Sequence, residues 1–244
     1  MRYLRNFGIF AAAWVVAMLI FTIAYGVNDK SLYILYFSVP ALFLGAIGAV
    51  VTAGERVFRP NRKLNWWWII GMLAADQAIK IYLFGLDWQT LRIPLIDPVF
   101  YIAPSHNTAG SYLWVLLGFE NVPKFPHVIF VAVLAFVLFE YWRFYTTKRP
   151  LSFWGKGFVH LFLVGAFANV VDNIFHGGSL DYITIRPFYT FDLKDLFITI
   201  AELFALVEVI NQKLYKNSQD IQGFDLKFIR TDVKSWFTKE KQTK

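Results

Sequence analysis

Four acidic residues with the types and spacing to do chemistry lie at the boundaries of two apolar stretches in the C-terminal half of the chain. Asp172 lies near the end of one stretch, Asp181 lies in the short connection, and Asp192 and Asp195 begin the next stretch. Two carboxylates held together at the edge of a low-dielectric region do not both ionise easily, so they share a proton. Such a pair can activate water, because one carboxylate accepts a proton from the attacking water while the other protonates the departing group.

The same acids have two other interpretations. Acidic residues are favoured at the N-terminus of a helix, so Asp192 and Asp195 also suit helix capping. Acids and histidines inside membrane helices also form the proton or cation paths of carriers, which here would use His160, Glu202 and Glu208. The two halves of the chain show no inverted repeat typical of carriers. The residues alone rank a structural role first and leave proteolysis and transport open behind it.

Further polar residues interrupt the apolar stretches. Asp76 and Lys80 are four residues apart, so they share one helix face and predict a salt bridge. Asn169 and Asn173 lie on either side of Asp172. An ionisable residue at the centre of a membrane helix costs at least about 2.5 kcal/mol, which makes each a candidate functional residue.

The composition indicates the kind of protein that positions these residues. Of 244 residues, 57% are hydrophobic and 17% are charged, whereas soluble domains have about 25% charged residues. The absence of cysteine excludes disulfides, thiol nucleophiles and cysteine-ligated metals. A membrane helix needs about 20 apolar residues, and six stretches approach or exceed this length: about Phe7 to Val27, Leu32 to Ala53, Asn65 to Phe84, Val122 to Trp142, Phe153 to Phe175 and Phe191 to Leu214. We expect the first to remain as a span instead of being cleaved as a signal peptide, because its apolar core is too long.

Basic residues concentrate on one side of these six stretches. They precede the first, lie between the second and third and between the fourth and fifth, and follow the sixth. The positive-inside rule therefore predicts that both termini are cytoplasmic. It also accounts for most of the net charge of +7, so we expect no nucleic-acid partner.

The connections on the other side contain two strand-like segments. The long connection Gly85 to Asn121 includes Pro98 to Ala103, and the connection before the sixth stretch includes Ser179 to Ile185. The tail from Lys216 is either a basic amphipathic segment on the inner leaflet or a loosely ordered, solvated tail. The predicted fold class is an all-α integral membrane protein with six transmembrane helices, a small extracytoplasmic β-region and an interfacial loop.

Five short strings occur in order along the chain: DQAIK at Asp76 to Lys80, NTAG at Asn107 to Gly110, GAFANVVD at Gly165 to Asp172, SLDYI at Ser179 to Ile183 and FDLKD at Phe191 to Asp195. In order and spacing they resemble the family of lipoprotein signal peptidases (signal peptidase II), whose pattern runs DQxxK, NxGxxF, GxxGNxxDR, VxDF and FNxAD. The resemblance covers about Asn65 to Leu214, which corresponds to the family's four-helix body.

This resemblance implies a membrane aspartyl endopeptidase that uses no metal or cofactor. The pair that holds the nucleophilic water in the family corresponds to Asp181 and Asp195. The implied substrate is a prolipoprotein that carries a diacylglyceryl group on a cysteine, and the implied reaction removes its signal peptide by cleavage before that cysteine. The implied location is the cell inner membrane, with the site at the extracytoplasmic face and in contact with membrane lipids.

The resemblance also implies supporting roles around the pair. Asn169 and Asp172 match a group near the scissile bond, with Asn173 and Asp192 beside them as further support, and Asn107 matches a loop residue that contacts the substrate backbone. Asp76 and Lys80 match a pair that braces the site. The long connection corresponds to the family's β-cradle and an extracytoplasmic helix that closes over the substrate.

Several positions depart from the family pattern: Ala168 replaces a glycine, Asn173 an arginine, Asp192 an asparagine and Lys194 an alanine. An additional acid beside Asp181 disfavours ionisation unless Lys194 supplies the compensating charge, and the helical position of Lys194 also allows it to face water.

The resemblance divides the chain into three segments. Two additional helices and a basic loop occupy 1–63, the signal-peptidase-like body occupies 64–215, and a basic tail occupies 216–244. The departures and the additional helices leave an alternative, which is a divergent paralogue that is non-catalytic or altered in specificity. In that alternative, helices 1 and 2 bind a membrane partner.

Overall fold

The computed structural model describes residues 1–25, 30–59, 61, 63–108, 124–186, 188–216 and 223–238. Six long helices occupy most of these residues: α1 (Arg2–Tyr25), α2 (Tyr33–Glu55), α3 (Trp66–Phe84), α4 (Lys124–Lys148), α5 (Phe153–Val171) and α6 (Leu193–Gln212). Within the described ranges, α1, α2, α4 and α5 are long and apolar enough to cross a membrane. The protein is therefore mostly helical, with several helices suited to a bilayer.

Most helix ends lie within a few residues of the predicted positions, and two differ more. Helix α1 begins at Arg2 instead of Phe7. Helix α4 was predicted to end at Trp142 but continues to Lys148. The additional turns are stabilised by tertiary contacts. Phe144 and Tyr145 are buried, and the Tyr145 hydroxyl donates to Glu208 Oε1 on α6 at 2.7 Å.

A small antiparallel sheet lies beside the helices, so the predicted combination of a mostly helical protein with a small β-region is confirmed. Its strands run in the order β1 (Ile93–Ile96), β2 (Phe100–Asn107), β3 (Ser179–Ile185) and β4 (Tyr189–Phe191). The prediction for β3 is confirmed, and β1 and β4 were not predicted.

The prediction for β2, Pro98 to Ala103, was too early along the chain. Strand β2 runs to Asn107 because β3 pairs with it on both sides of an irregularity between Ile102 and Ser105, where Pro104 lies. A bulge of this kind accommodates a proline that cannot donate to the ladder. The rest of the long connection, including the expected extracytoplasmic helix and interfacial loop, lies in 109–123, outside the described residues.

Helix α1 pairs with α2, and the resulting hairpin packs against α6. A Cβ atom on Gly48 of α2 would lie 2.8 Å from the Phe10 ring, so the small residue allows close helix approach. Phe10 then packs edge-on against Trp154 of α5 and Phe204 of α6. The contact is apolar and joins the N-terminal hairpin to the centre of the helical body.

The tail contains a further helix, α7 (Leu226–Phe237), which lies along α4. Asp225 caps it by accepting the Phe228 backbone N–H at 2.8 Å. Arg143 of α4 donates two hydrogen bonds to Asp232, at 2.6 and 3.0 Å. Of the two interpretations of the tail, an ordered segment is therefore present at Leu226–Phe237, and it is fastened to a long helix.

Candidate active site

The connection from α5 to α6 positions Asp181. A five-residue π-helical turn, Asp172–His176, extends α5 and ends at Gly177, whose φ of +70° favours glycine. A Cβ atom on Gly178 would lie 2.5 Å from the backbone oxygen of Asn107. Glycine at this position therefore allows β3 to pair closely with the end of β2, and this pairing brings Asn107 beside Asp181.

Asp181 and Asp195 approach each other from different elements. One carboxylate oxygen from each of Asp181, Asp192 and Asp195 lies within 4.8 Å of the others. A hydrogen bond to water spans about 2.8 Å, so one water can contact both Asp181 and Asp195. The two side chains differ in exposure, 5% for Asp181 and 41% for Asp195.

The surroundings of Asp181 favour its protonated form. Burial raises the pKa of the Asp181 carboxyl and outweighs the opposing charge of Lys194. Asn107 Nδ2 donates to Asp181 Oδ2 at 2.9 Å. The other oxygen, Oδ1, is buried and accepts no hydrogen bond from the described residues. Asp181 is therefore suited to hold a proton that it can later donate.

Asp192 and Asp195 also cap α6, as the structural interpretation predicted. Asp192 Oδ1 accepts the Asp195 backbone N–H at 3.0 Å, and Asp195 Oδ2 accepts the Asp192 backbone N–H at 3.4 Å. This reciprocal arrangement is a capping box. It holds Asp195 at the first turn of the helix and leaves its Oδ1 directed to the acidic cluster, so capping and chemistry use different oxygens.

Lys80 lies at the centre of a buried ion cluster. Its Nζ atom is 2.8 Å from Asp76 Oδ2, 2.7 Å from Asp172 Oδ2 and 2.7 Å from Asp192 Oδ2. The predicted Asp76–Lys80 salt bridge is confirmed, and two further acids complete it. Asp76 also accepts the Lys194 backbone N–H at 3.1 Å, which ties α3 to the start of α6.

Lys194 faces inward, between the Lys80 cluster and the two candidate catalytic acids. Its Nζ atom lies 2.7 Å from both Asp192 Oδ2 and Ser179 Oγ. It is 3.5 Å from Asp181 Oδ1 and 3.6 Å from Asp195 Oδ1. The expectation that Lys194 supplies compensating charge is confirmed, and the option that it faces water is wrong, because this buried acidic cluster holds the ammonium.

Asn169 and Asn173 make their contacts next to this cluster. Asn169 Oδ1 is 2.9 Å from His127 Nε2 on α4, and Asn173 Nδ2 donates to the Asn169 backbone oxygen at 2.9 Å. His127 is buried and lies in no motif, so sequence reasoning had no signal for it. These asparagines tie α5 to α4 close to Asp172.

Two residues of the cluster were missed as site residues, Ser179 and Lys194. Ser179 Oγ lies 3.1 Å from Asp172 Oδ2 and 2.9 Å from Asp192 Oδ2, and its hydroxyl can donate to either oxygen. Its signal was present, because residues two apart on a strand share a face and Asp181 is two residues away. The signal for Lys194 was its replacement of an alanine in the family pattern.

The donor chemistry of the acidic cluster resembles that of a cation site, since carboxylates are the ligands that hard metal ions prefer. The Lys194 ammonium, however, lies within 3.6 Å of carboxylate oxygens of Asp181, Asp192 and Asp195. The side chain of Lys194 therefore takes the position that a cation would occupy.

An apolar cavity of about 430 Å³ lies next to the site, between the C-terminal half of α3 and the sheet. Its lining consists of Ala78, Ile79, Tyr82, Leu83, Ile102 and Tyr182. Tyr182 follows Asp181 directly on β3, so the cavity and the acids use opposite faces of the same strand.

Comparisons with known proteins identify relatives of this chain. A family model described as signal peptidase (SPase) II matches residues 68–211. A lipoprotein signal peptidase of Clostridioides difficile is 26% identical over 144 residues, which is 58% of this chain and 91% of that protein. A lipoprotein signal peptidase of Allorhizobium ampelinum is 30% identical over 144 residues, 57% of this chain and 83% of that protein.

Two solved structures share the fold. Both are described as a bacterial membrane enzyme, determined in meso at 2.3 and 1.9 Å, and both are 15% identical to this chain. Their TM-scores are 0.50 and 0.52, and they cover 66% and 62% of this chain and 98% of their own length. The sequence match spans the helices and strands that carry the acidic cluster, and the chain belongs to the signal peptidase II family of aspartyl membrane proteases.

Proposed function

We propose that this protein removes the signal peptide from diacylglyceryl-modified prolipoproteins by cleaving the peptide bond before the lipidated cysteine. The observation that carries this proposal is the approach of the Asp181 and Asp195 carboxylates to within 4.8 Å, from a strand and a helix. The names of the curated relatives support the substrate class.

In the proposed reaction, Asp195 is the base and Asp181 is the acid. Asp195 is the more exposed of the two, so water reaches it first, and its carboxylate accepts a proton as the water oxygen attacks the scissile carbonyl carbon. Asp181, whose pKa is raised by burial, is assigned the protonated form and stabilises the developing oxyanion by hydrogen bonding. Asp181 then donates its proton to the amide nitrogen as the carbon–nitrogen bond breaks. The new carboxylic acid returns a proton to Asp181, and Asp195 releases its proton to water. The products are a signal peptide with a free carboxylate and a lipoprotein with a free amino group on its cysteine.

The surroundings of the pair support a lipid-bearing substrate. The apolar cavity between α3 and the sheet is suited to an acyl chain or an apolar side chain of the substrate. We propose that all six long helices span the cell membrane and that both termini are cytoplasmic. The acidic cluster then lies at the extracytoplasmic end, where substrate arrives from the outer leaflet and water from outside.

We also propose a division of labour along the chain. The body at 64–215 holds the acids and the cavity, the segment 1–63 provides the α1–α2 hairpin, and the tail at 216–244 contains α7. Helices α1 and α2 expose large apolar residues such as Ile23, Ile34 and Phe43. These surfaces fit lipid, and a membrane partner bound by helices 1 and 2 belongs to the alternative function.

The test is cleavage of a synthetic lipidated prolipoprotein peptide by the purified protein in detergent. We expect Asp181→Asn and Asp195→Asn to lower kcat by about 10² to 10⁴ while the unfolding temperature stays near that of the parent. Asp87→Asn is the matched control, because it makes the same chemical change at an exposed loop position.

The alternative, a non-catalytic membrane interaction protein, has one observation in its favour. The Lys194 ammonium and the capping box of α6 already satisfy much of the acidic cluster. This alternative predicts no cleavage by the parent, and loss of folding instead of clean inactivation in the two aspartate variants. Cleavage by Asp181→Asn and Asp195→Asn at the parental rate would rule out the proposed pair.

A further inference from the structure

The buried cluster contains more acids than bases. Five carboxylates converge at the outer end of the body: Asp76, Asp172, Asp181, Asp192 and Asp195. Two lysines lie among them, and both are 2.7 Å from Asp192 Oδ2. Lys80 also makes short ion pairs with Asp76 and Asp172, whereas Lys194 is the lysine that faces Asp181 and Asp195.

We propose that Lys194 is a positioning residue that keeps one of the two candidate catalytic acids ionised while the other keeps its proton. The proposal rests on the function proposed above, because it assigns a role within the Asp181–Asp195 pair. It concerns a residue at which this chain departs from its family, where the pattern carries alanine.

The distances around Lys194 suit this role. Its two short contacts, both 2.7 Å, are to Asp192 and Ser179, and these anchors fix the ammonium. The distances of 3.5 Å to Asp181 and 3.6 Å to Asp195 are nearly equal and longer. The charge therefore acts on both acids without occupying them with short hydrogen bonds, so their oxygens stay available for water and substrate.

The charged and titratable groups facing Lys194 and the pair come from every packed element: Asp76 and Lys80 on α3, His127 on α4, Asp172 after α5, Asp181 and Tyr182 on β3, Tyr189 on β4, and Asp192 and Asp195 at the start of α6. Most of these groups are acids. Removing the Lys194 charge therefore leaves the pair among acids and makes ionisation of its first member harder, which is the step that the acidic limb of a pH profile reports.

Two departures from the family pattern carry opposite charges and can be removed together. Asp192 stands where the pattern has asparagine, so this chain carries both an additional acid and an additional base, paired at 2.7 Å. The double change Asp192→Asn and Lys194→Ala removes both charges together. If Lys194 balances the acid beside the pair, the double variant has an acidic limb close to that of the parent in its pH profile.

The experiment is the pH dependence of kcat/KM for lipidated peptide cleavage by the full-length protein. An opposite charge at this distance shifts carboxylate ionisation by about 1 to 3 pH units. We therefore expect the acidic limb of the Lys194→Gln profile to move up by about this amount. Lys194→Arg should retain the parental limb, and Asp192→Asn with Lys194→Ala should return close to it. Lys156→Met is the control, because Lys156 lies in the first turn of α5, at the opposite end of that helix from Asp172.

The outcomes separate the two proposals. A parent that cleaves, with an unmoved acidic limb in Lys194→Gln, overturns the role of Lys194 and leaves the proposed function intact. Uniformly lower activity at every pH also overturns that role, since a merely structural lysine predicts it. If Lys194→Gln does not fold, a displaced limb in the folded double variant overturns the proposal. A parent without cleavage at any pH overturns both proposals.

Discussion

The N-terminal end of α6 and the α1–α2 hairpin both pack into the same helical body, the first mainly through ion pairs and the second mainly through apolar contacts. At this end of α6, Lys80 and Lys194 hold buried carboxylates together through ion pairs. In the hairpin, Gly48 leaves room for the Phe10 ring, which packs against the ring of Trp154. Apolar packing alone can hold membrane helices together, whereas buried ion clusters are costly unless every charge is paired.

This difference indicates where function lies. The family match at 68–211 contains every member of the acidic cluster and none of the α1–α2 hairpin. We infer that the charged region is retained for chemistry and that the hairpin contributes packing. Three changes test this contrast, beginning with the one expected to have the largest effect.

Replacing Lys80 with methionine should strongly destabilise the protein. The change leaves Asp76, Asp172 and Asp192 close together without their shared cation. Breaking a buried ion pair by removing one partner costs about 3 to 5 kcal/mol, and we expect this loss in unfolding experiments in detergent. Lys156→Met removes a lysine of the same helical body that hydrogen bonds to Asn61, and it should change stability far less. Equal stability of Lys80→Met and the parent would contradict the description of the cluster.

Replacing Gly48 with leucine should weaken the hairpin and spare cleavage. The Cβ atom at this position would lie 2.8 Å from the Asn6 backbone oxygen, and overpacking of this kind costs about 1 to 3 kcal/mol. Gly71→Leu on α3 is the control, because a Cβ atom there meets no described atom within 4 Å. The two regions would prove coupled if kcat fell in Gly48→Leu assayed well below its unfolding temperature.

The smallest effect is expected at the contact between α7 and α4. Burial alone would raise the pKa of Asp232, but its hydrogen bonds with Arg143 lower that pKa below the ordinary value of 3.8. The stabilisation of the folded protein by the Arg143–Asp232 pair is therefore present above about pH 4. It is lost as the pH falls through the lowered, folded-state pKa of Asp232. A partly exposed pair contributes about 1 kcal/mol or less.

Limited proteolysis of the tail measures this contact. Asp232→Asn should expose the tail to protease at neutral pH while leaving cleavage activity unchanged. Asp225→Ala, which removes the cap of α7, should expose it through loss of the helix itself. Unchanged protection in Asp232→Asn would show that the Arg143–Asp232 pair does not fasten the tail.

The long apolar stretches predicted the helices well because helix length and hydrophobicity are local properties. Strand β3 was predictable for the same reason, since two glycines precede a run with β-branched residues. Only the first half of β2 was predicted, because Pro104 and His106 have the character of loop residues and only pairing with β3 makes this part a strand.

The site was predictable to the extent that motifs carried it. Asp181 and Asp195 were identified from motif order, and in the structure one carboxylate oxygen of each lies within 4.8 Å of the other. The inward direction of Lys194 could not be obtained from helical phase, because it depends on Asp172 and Ser179, which lie on other elements. The contact of Asn169 with His127 depends on how α4 packs against α5, which no local pattern encodes.

The most direct test of the central claim is cleavage of a lipidated prolipoprotein peptide in water labelled with heavy oxygen, followed by mass spectrometry of the products. We predict that the parent cuts before the lipidated cysteine and places one labelled oxygen in the new carboxylate of the signal peptide. Asp181→Asn and Asp195→Asn should release almost no labelled peptide. Release of labelled peptide at the parental rate by either variant, or no cleavage by the parent, would contradict the assignment of Asp181 and Asp195 as the water-activating pair.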